Sequence, residues 1–187
     1  MLIDITYKAS LKDIEQARQK EDMSAFGHIG THFDVMDSVF PLEYTLRDAV
    51  VFDVSRVPPR DIDTGDIDIS LVKEDMFFAF STGYIEDNGY GEGDYFTGHP
   101  RLTFSLIDEL IGKKVSIIGV DFTGIRRPPE HIGTDIKCAE HGVFVVENLC
   151  GLKSLLKGRD HAFFRANTYP VSFEGLSGLP CRVIAEI

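Results

Sequence analysis

The sequence predicts a mixed α/β domain whose sheet is partly open and partly barrel-like, with flanking helices. Three observations lead there. Short apolar strand candidates outnumber helix candidates, and the second half carries several helix-then-strand units. The 187 residues are 43% hydrophobic and 26% charged, a balance that lets one compact domain bury a core. No internal repeat or low-complexity linker divides the chain, so a single domain over 1–187 is expected.

The elements follow in order. Leu2–Tyr7 alternates apolar and polar residues, the period-two mark of a strand. Ser10–Asp22 combines helix formers with a candidate Ser10 cap and no Gly or Pro, which predicts a short exposed helix. Phe26–Val35 reads as extended; a loop then leads to Ala49–Val54, a buried-strand candidate. Pro58–Asp68 is rich in Pro, Asp and Gly and reads as a turn-laden connection. Met76–Ser81 is a second short apolar run, and Gly83–Gly98 has the aperiodic Gly and Tyr content of a long functional loop or lid. Thr103–Ile111 has helical spacing and Gly112 closes it, with a strand over Lys114–Val120. Asp135–Gly142 is helix-like, Val143–Val146 is a strand running into Glu147, and Leu152–Leu156 is a short helix or turn. Ala162–Thr168, Phe173 and Cys181–Ile187 read as closing strands.

Composition narrows the function. A net charge of -11 repels phosphate backbones, which sets aside nucleic acid and anionic membranes as partners, although solubility alone also accounts for it. No apolar run reaches the ~18 residues of a membrane span. Met1–Tyr7 is too short for a signal peptide and Lys8–Asp22 is densely charged. Cys138, Cys150 and Cys181 are odd in number and form no CxxC pair, which points to a reducing cytoplasm and to small buried hydrophobes.

The informative segment is His28-Ile29-Gly30-Thr31-His32-Phe33-Asp34. On an extended chain His28, Gly30, His32 and Asp34 share one face, with Gly30 leaving space between the imidazoles. A helix would pair His28 with His32 but swing Asp34 about 200° from His32. Two imidazoles and a carboxylate suit Zn²⁺, with Mn²⁺ or Fe²⁺ as alternatives. Histidines four apart also occur by chance, and spacing alone leaves both readings standing. Glu147 is similarly double-valued: a carboxylate ending an apolar strand is either compensated by a cation or exposed.

His28-x-Gly30-Thr31-His32-x-Asp34 resembles the H-x-G-T-H-x-D signature of the cyclase family, which includes kynurenine formamidase and isatin hydrolase. Further segments are similar in the same order: Asp4-Ile5-Thr6, Thr82-Gly83-Tyr84, His99-Pro100-Arg101-Leu102, Ile118-Gly119-Val120-Asp121, the stretch from Gly142 to Leu149, and Pro180-Cys181-Arg182-Val183. The resemblance implies a swivelling β/β/α-type fold and a homodimer or larger oligomer. It also implies a divalent-metal site, often with two ions, that hydrolyses a small amide, formamide or lactone by metal-activated water. By motif match, His28, His32 and Asp34 fall on the first ligands and Glu147 on a later one; Asp34 would also bridge two ions. His99, Glu147 and a water network around the ligands are the candidates for proton delivery. Zn²⁺ is the first expectation for the cofactor and Mn²⁺ the second.

Three departures from the family pattern stand out. Met36 and Ser38 replace the Pro and His of the usual x-P-x-H continuation, and a serine hydroxyl is no unaided base at neutral pH. A further ligand His is replaced by Asp135, which can itself ligate, with His131 and His141 flanking as alternatives. Ser81 stands where an Arg usually precedes the T-G-W segment. These departures keep a second reading in view, a degenerate member that binds a metal or small ligand without turnover.

Overall fold

A computed structural model gives the structure of the protein and describes residues 1–20 and 24–187. One mixed sheet holds β1 (Leu2–Asp4), β2 (His32–Asp34), β3 (Leu46–Asp53), β4 (Phe77–Ser81), β5 (Ile117–Val120), β6 (Phe144–Glu147), β7 (His161–Pro170) and β8 (Gly178–Glu186). Their order is β1-β8-β2-β6-β5-β4-β3-β7, and β7 pairs again with β8. Seven strands therefore close into a barrel, with β1 laid against β8 outside the ring. β3 to β6 run parallel, and the remaining pairings are antiparallel. The expected α/β barrel-like architecture is present, but the barrel is closed rather than partly open.

Helices lie outside this ring: α1 (Leu11–Arg18), α2 (Ser24–Gly27), α3 (Tyr84–Asn88), α4 (Tyr95–Gly98), α5 (Phe104–Gly112), α6 (His131–Glu140) and α7 (Lys153–Leu156). Every residue of β4, β5 and β6 is buried, as parallel strands covered on both faces require. Alternation divides their side chains between two cores. Phe77, Ala79, Ile117 and Val146 pack with Phe33, Leu179 and Ala185. Phe78, Phe80, Ile118 and Val145 pack outward with Leu106 and Leu110 of α5 and Cys138 of α6. β2 follows the same rule: Phe33 joins the first core, so His32 and Asp34 point to the other face.

Several expectations are corrected. The first strand stops at Asp4 rather than Tyr7, because the Asp4 carboxylate accepts the Thr6 N–H (3.1 Å) and turns the chain. Helix α1 has the expected Ser10 cap, reinforced by a capping box with Asp13, but ends at Arg18; Asp22 lies outside the described residues. Phe26–Val35 is not continuously extended: α2 and a turn precede β2, and Gly30 sits at φ +62°, which a non-glycine residue adopts only with strain. Gly83–Gly98 forms α3 and α4, with Tyr95 fully buried, rather than an open loop. Helix α6 starts at His131, four residues before the expected Asp135. Phe173 is exposed and belongs to no strand.

Phe33 is wholly enclosed at the centre of the barrel, whereas the Ser10 cap is a local device. Phe33→Ala is expected to cost about 3–5 kcal/mol and Ser10→Ala about 1 kcal/mol, measured by denaturant unfolding. Equal losses from the two substitutions would contradict the packing described.

Candidate metal centre

The ladder pairs His32 with Glu147 and Asp34 with Val145, so β2 sets two candidate ligands beside the end of β6. His32 Nε2 lies 3.5 Å from Glu147 Oε2 and 3.5 Å from Asp34 Oδ1. His28 arrives from the turn after α2, its Nε2 3.2 Å from the same Asp34 oxygen and its ring edge-on to His32 at 5.0 Å. That approach depends on backbone contact between Gly27 and Gly178. A Cβ on Gly178 would stand 2.7 Å from both Gly27 O and His28 Nε2.

Helix α6 closes the other side. His131 and Asp135 are one turn apart, on one face. His131 Nε2 lies 3.0 Å from Asp135 Oδ2 and 3.1 Å from Glu147 Oε1. The ligand atoms of His28, His32 and Asp34 lie within 4.8 Å of one another, and so do those of Asp34, His131 and Asp135. Asp34 is common to both triads. Of the three residues weighed for the further ligand, Asp135 and His131 both join the cluster. His141 does not: it is exposed past the end of α6, and its Nδ1–H donates to Lys137 O (2.8 Å).

Hydrogen bonds orient these groups. His32 Nδ1 faces the Gly30 carbonyl at 2.8 Å, and a carbonyl can only accept, so Nδ1 carries the hydrogen and Nε2 presents its lone pair to the carboxylates. Asn148, at φ +57°, holds that same Gly30 carbonyl through Nδ2 (3.0 Å) and accepts the Tyr95 hydroxyl (2.6 Å). Thr31 donates to Asn148 O (2.7 Å), and Thr123 donates to Glu147 Oε2 (3.0 Å). Thr123, Asn148 and Tyr95 were silent in the sequence as contributors to the site. His131 was readable, because His-x-x-x-Asp at helical spacing is itself a ligand pattern.

Three lone-pair atoms, His32 Nε2, Asp34 Oδ2 and Asp135 Oδ1, are buried without a hydrogen-bond partner. Acceptors meeting acceptors in a dry pocket call for a cation or a proton between them. The titration of the protein alone reflects this. Burial pushes Asp135 up to about 7, with the negative charge of Asp34 adding to it, and burial together with Asp34 raises Glu147 as well. Burial would lower His32, but Asp34 and Glu147 outweigh it and raise it to about 9. Burial likewise opposes His131, which Asp135 and Glu147 raise to about 11. Asp34, despite its burial, is held well below the usual carboxylate range by His32 and His28. The donor set therefore fits divalent cations, with Asp34 able to serve two.

His99 is buried, near enough to His131 for the two rings to influence each other electrostatically. Its ring stacks on Phe122 with centroids 5.6 Å apart, Nδ1–H donates to Pro100 O (2.7 Å), and burial lowers its pKa to about 4. Ser38 lies in the turn beyond Asp34, where its N–H donates to Val35 O (2.9 Å). Ser81 is buried at the end of β4, its hydroxyl without a partner. Beside Met36 and Ser38 opens a cavity of about 920 Å³, lined also by Val35, Phe40, Tyr169 and Leu179.

The Cyclase family model, described as "Putative cyclase", matches residues 3–126, more than half of the chain. Among solved structures, the chain is similar to a predicted metal-dependent hydrolase from Bacillus stearothermophilus, with a TM-score of 0.72 at 18% identity, covering 99% of this chain and 97% of that one. It is similar to a potential metal-dependent hydrolase with cyclase activity, with a TM-score of 0.65 at 24% identity over 83% and 75% of the two chains. A third is isatin hydrolase A from Labrenzia aggregata, with a TM-score of 0.69 at 19% identity over 85% and 73%. No curated protein matches the sequence.

A pH dependence follows for the metal-free protein. His32 and His131 have folded pKa values of about 9 and about 11 against an ordinary 6.5, so their stabilising contribution is complete below pH 6.5 and is lost as pH rises through the folded values. Chelator-treated protein is expected to melt at a lower temperature at pH 9 than at pH 7, and His131→Gln to shrink the difference. A melting temperature that rises over this interval would contradict the arrangement.

Proposed function

The chain belongs to the Cyclase family, and from that premise we propose that it hydrolyses a small amide, formamide or lactone using divalent metal held by His28, His32, Asp34, His131, Asp135 and Glu147. The observation that carries this reading is the convergence of unpartnered lone pairs on two triads that share Asp34. A divalent cation, when bound there, acidifies water and polarises a carbonyl. Imidazoles and carboxylates in equal number suit Zn²⁺ first and Mn²⁺ second.

The chain's own residues divide the remaining work. Asp34 links the two triads, and Thr123 orients Glu147 toward both histidines. Gly30, through its carbonyl, keeps the His32 Nε2 lone pair aimed inward. We take the cavity lined by Val35 and Met36, the residues that follow Asp34 in the chain, as the place for the body of the substrate. Ser38, on its rim, supplies no base, so proton transfer falls to His99: burial keeps the imidazole neutral, Pro100 O holds its Nδ1–H, and Nε2 would take a proton from the attacking water before passing it to the leaving group. We take the setting to be a reducing cytoplasm, on the odd number and wide spacing of the cysteines in the sequence, and the working form to be a homodimer or larger.

Elemental analysis of protein purified without added metal is expected to find at least about one equivalent of divalent metal. The His28→Ala, His32→Ala double variant should lose it. A screen of formyl-anilines, amides and lactones with added Zn²⁺ or Mn²⁺ should find turnover that His32→Ala abolishes. His99→Gln should lower turnover while leaving the metal content intact. Equal metal in wild type and double variant overturns the site. Bound metal with no turnover of any class overturns the hydrolase and favours the binding-only reading that Ser38 motivates.

A further inference from the structure

A second cavity, of about 380 Å³, opens just past the carboxyl ends of β3 and β4, and none of the six candidate ligands lines it. Crevices outside the carboxyl ends of parallel strands are where α/β sheets commonly take ligands, and the volume falls within the range of small-molecule sites. Val54, Val57, Pro58 and Ile62 make part of the lining apolar, while Arg101 and Arg127 bring cations to it.

Those cations differ in how far their charge is already satisfied. Asp61 accepts from Arg101 (Nε 2.9 Å, Nη2 2.8 Å) and from Arg126 (2.8 Å), so Arg101 is paired. Arg60, also at the cavity, is held bidentately by Asp66 at 2.6 and 2.7 Å. Arg127 has no ion pair among the described residues. Its Nη2 donates to the carbonyls of Gly98 and His99, and its buried Nε has no partner. Burial and the adjacent Arg101 cation both pull the Arg127 pKa down, the mark of a positive charge in an unfavourable place. The remaining acid of the lining, Asp87, is exposed on α3.

We propose that this cavity binds a small monocarboxylate, with the carboxylate on the Arg127 guanidinium and the apolar body against Val54, Val57 and Ile62. One unpaired cation matches one negative charge; with both Nη2 hydrogens given to carbonyls, the carboxylate would meet the rest of the guanidinium through a charge-assisted contact. A phosphate dianion would need a second unpaired cation and free hydroxyl donors. The lining offers neither: Thr82 donates its hydroxyl to Asp121 (2.5 Å), and Tyr84 donates to the carbonyls of Asp94 and Tyr95 (3.3 and 3.2 Å).

Benzoate is the probe, titrated calorimetrically at low ionic strength into wild type, Arg127→Gln, Val57→Glu and the His28→Ala, His32→Ala double variant, with melting temperatures confirming that each is folded. Saturable one-site binding is expected in wild type and in the double histidine variant. Arg127→Gln and Val57→Glu should each weaken it by about tenfold or more. Benzamide, the neutral isostere, and inorganic phosphate should fail to displace it. The proposal is overturned if wild type shows no saturable binding, if benzoate binds equally well to Arg127→Gln, or if phosphate displaces it. Loss of binding confined to the double histidine variant would place benzoate at the metal centre instead, and would also overturn it.

Discussion

Asp34, Asp135 and Glu147 are enclosed to within 4% of full burial, and Asp34 and Asp135 present oxygens within 4.8 Å of each other. Two unit charges at that range repel by about 3 kcal/mol at an effective dielectric constant near 20. The interaction cannot be relieved by solvent, because α6 and the β2–β6 ladder shut it out. It is relieved by the three imidazoles set among the carboxylates, each able to hold a proton or share a cation. The orientation of His32, the placement of α6 and the hydrogen bond from Thr123 are all answers to that repulsion.

The barrel supplies the stiffness this requires. Alternation along β2 sends Phe33 into the inner core and His32 and Asp34 out of it, so a one-residue slip in register would bury the polar pair among Phe77, Val146 and Leu179. β2 has only three residues but is held on both edges, by β6 and by β8. The Gly27–Gly178 contact then brings the turn carrying His28 close enough to join it. Apolar packing thus decides where the charged groups may go, and a very short strand suffices because its neighbours leave it no alternative.

Much of this was legible in the residues, though not always by the right route. Period-two spacing brought His28, His32 and Asp34 together on paper, and the structure brings them together as well. It does so through a helical turn and a left-handed Gly30, not through one continuous strand. Glu147 could be read from its place at the end of an apolar strand, and Asp135 from resemblance. His131 flanks Asp135 in the sequence, and its one-turn relation to Asp135 follows only from a helix that begins at His131, earlier than the sequence pattern indicates. Asn148 and Thr123 could not be read at all: they act on a backbone carbonyl and on another side chain, and no local pattern encodes such contacts. Closure of the barrel was equally hidden, since the β7–β8 register depends on pairing rather than on either strand's own composition.

The pairing of β2 with β8 also has a temporal consequence. His32 lies opposite Pro180, and Asp34 opposite Gly178, so segments near the two ends of the chain become neighbours late in folding. The outer edge of the His28–Asp34 segment is covered only when the distant β8 segment pairs with it. Until then His32 and Asp34 lack the enclosure that the folded site gives them. Pairing of β8 is what encloses this pair, so a metal held there would be committed only once that edge of the sheet is closed.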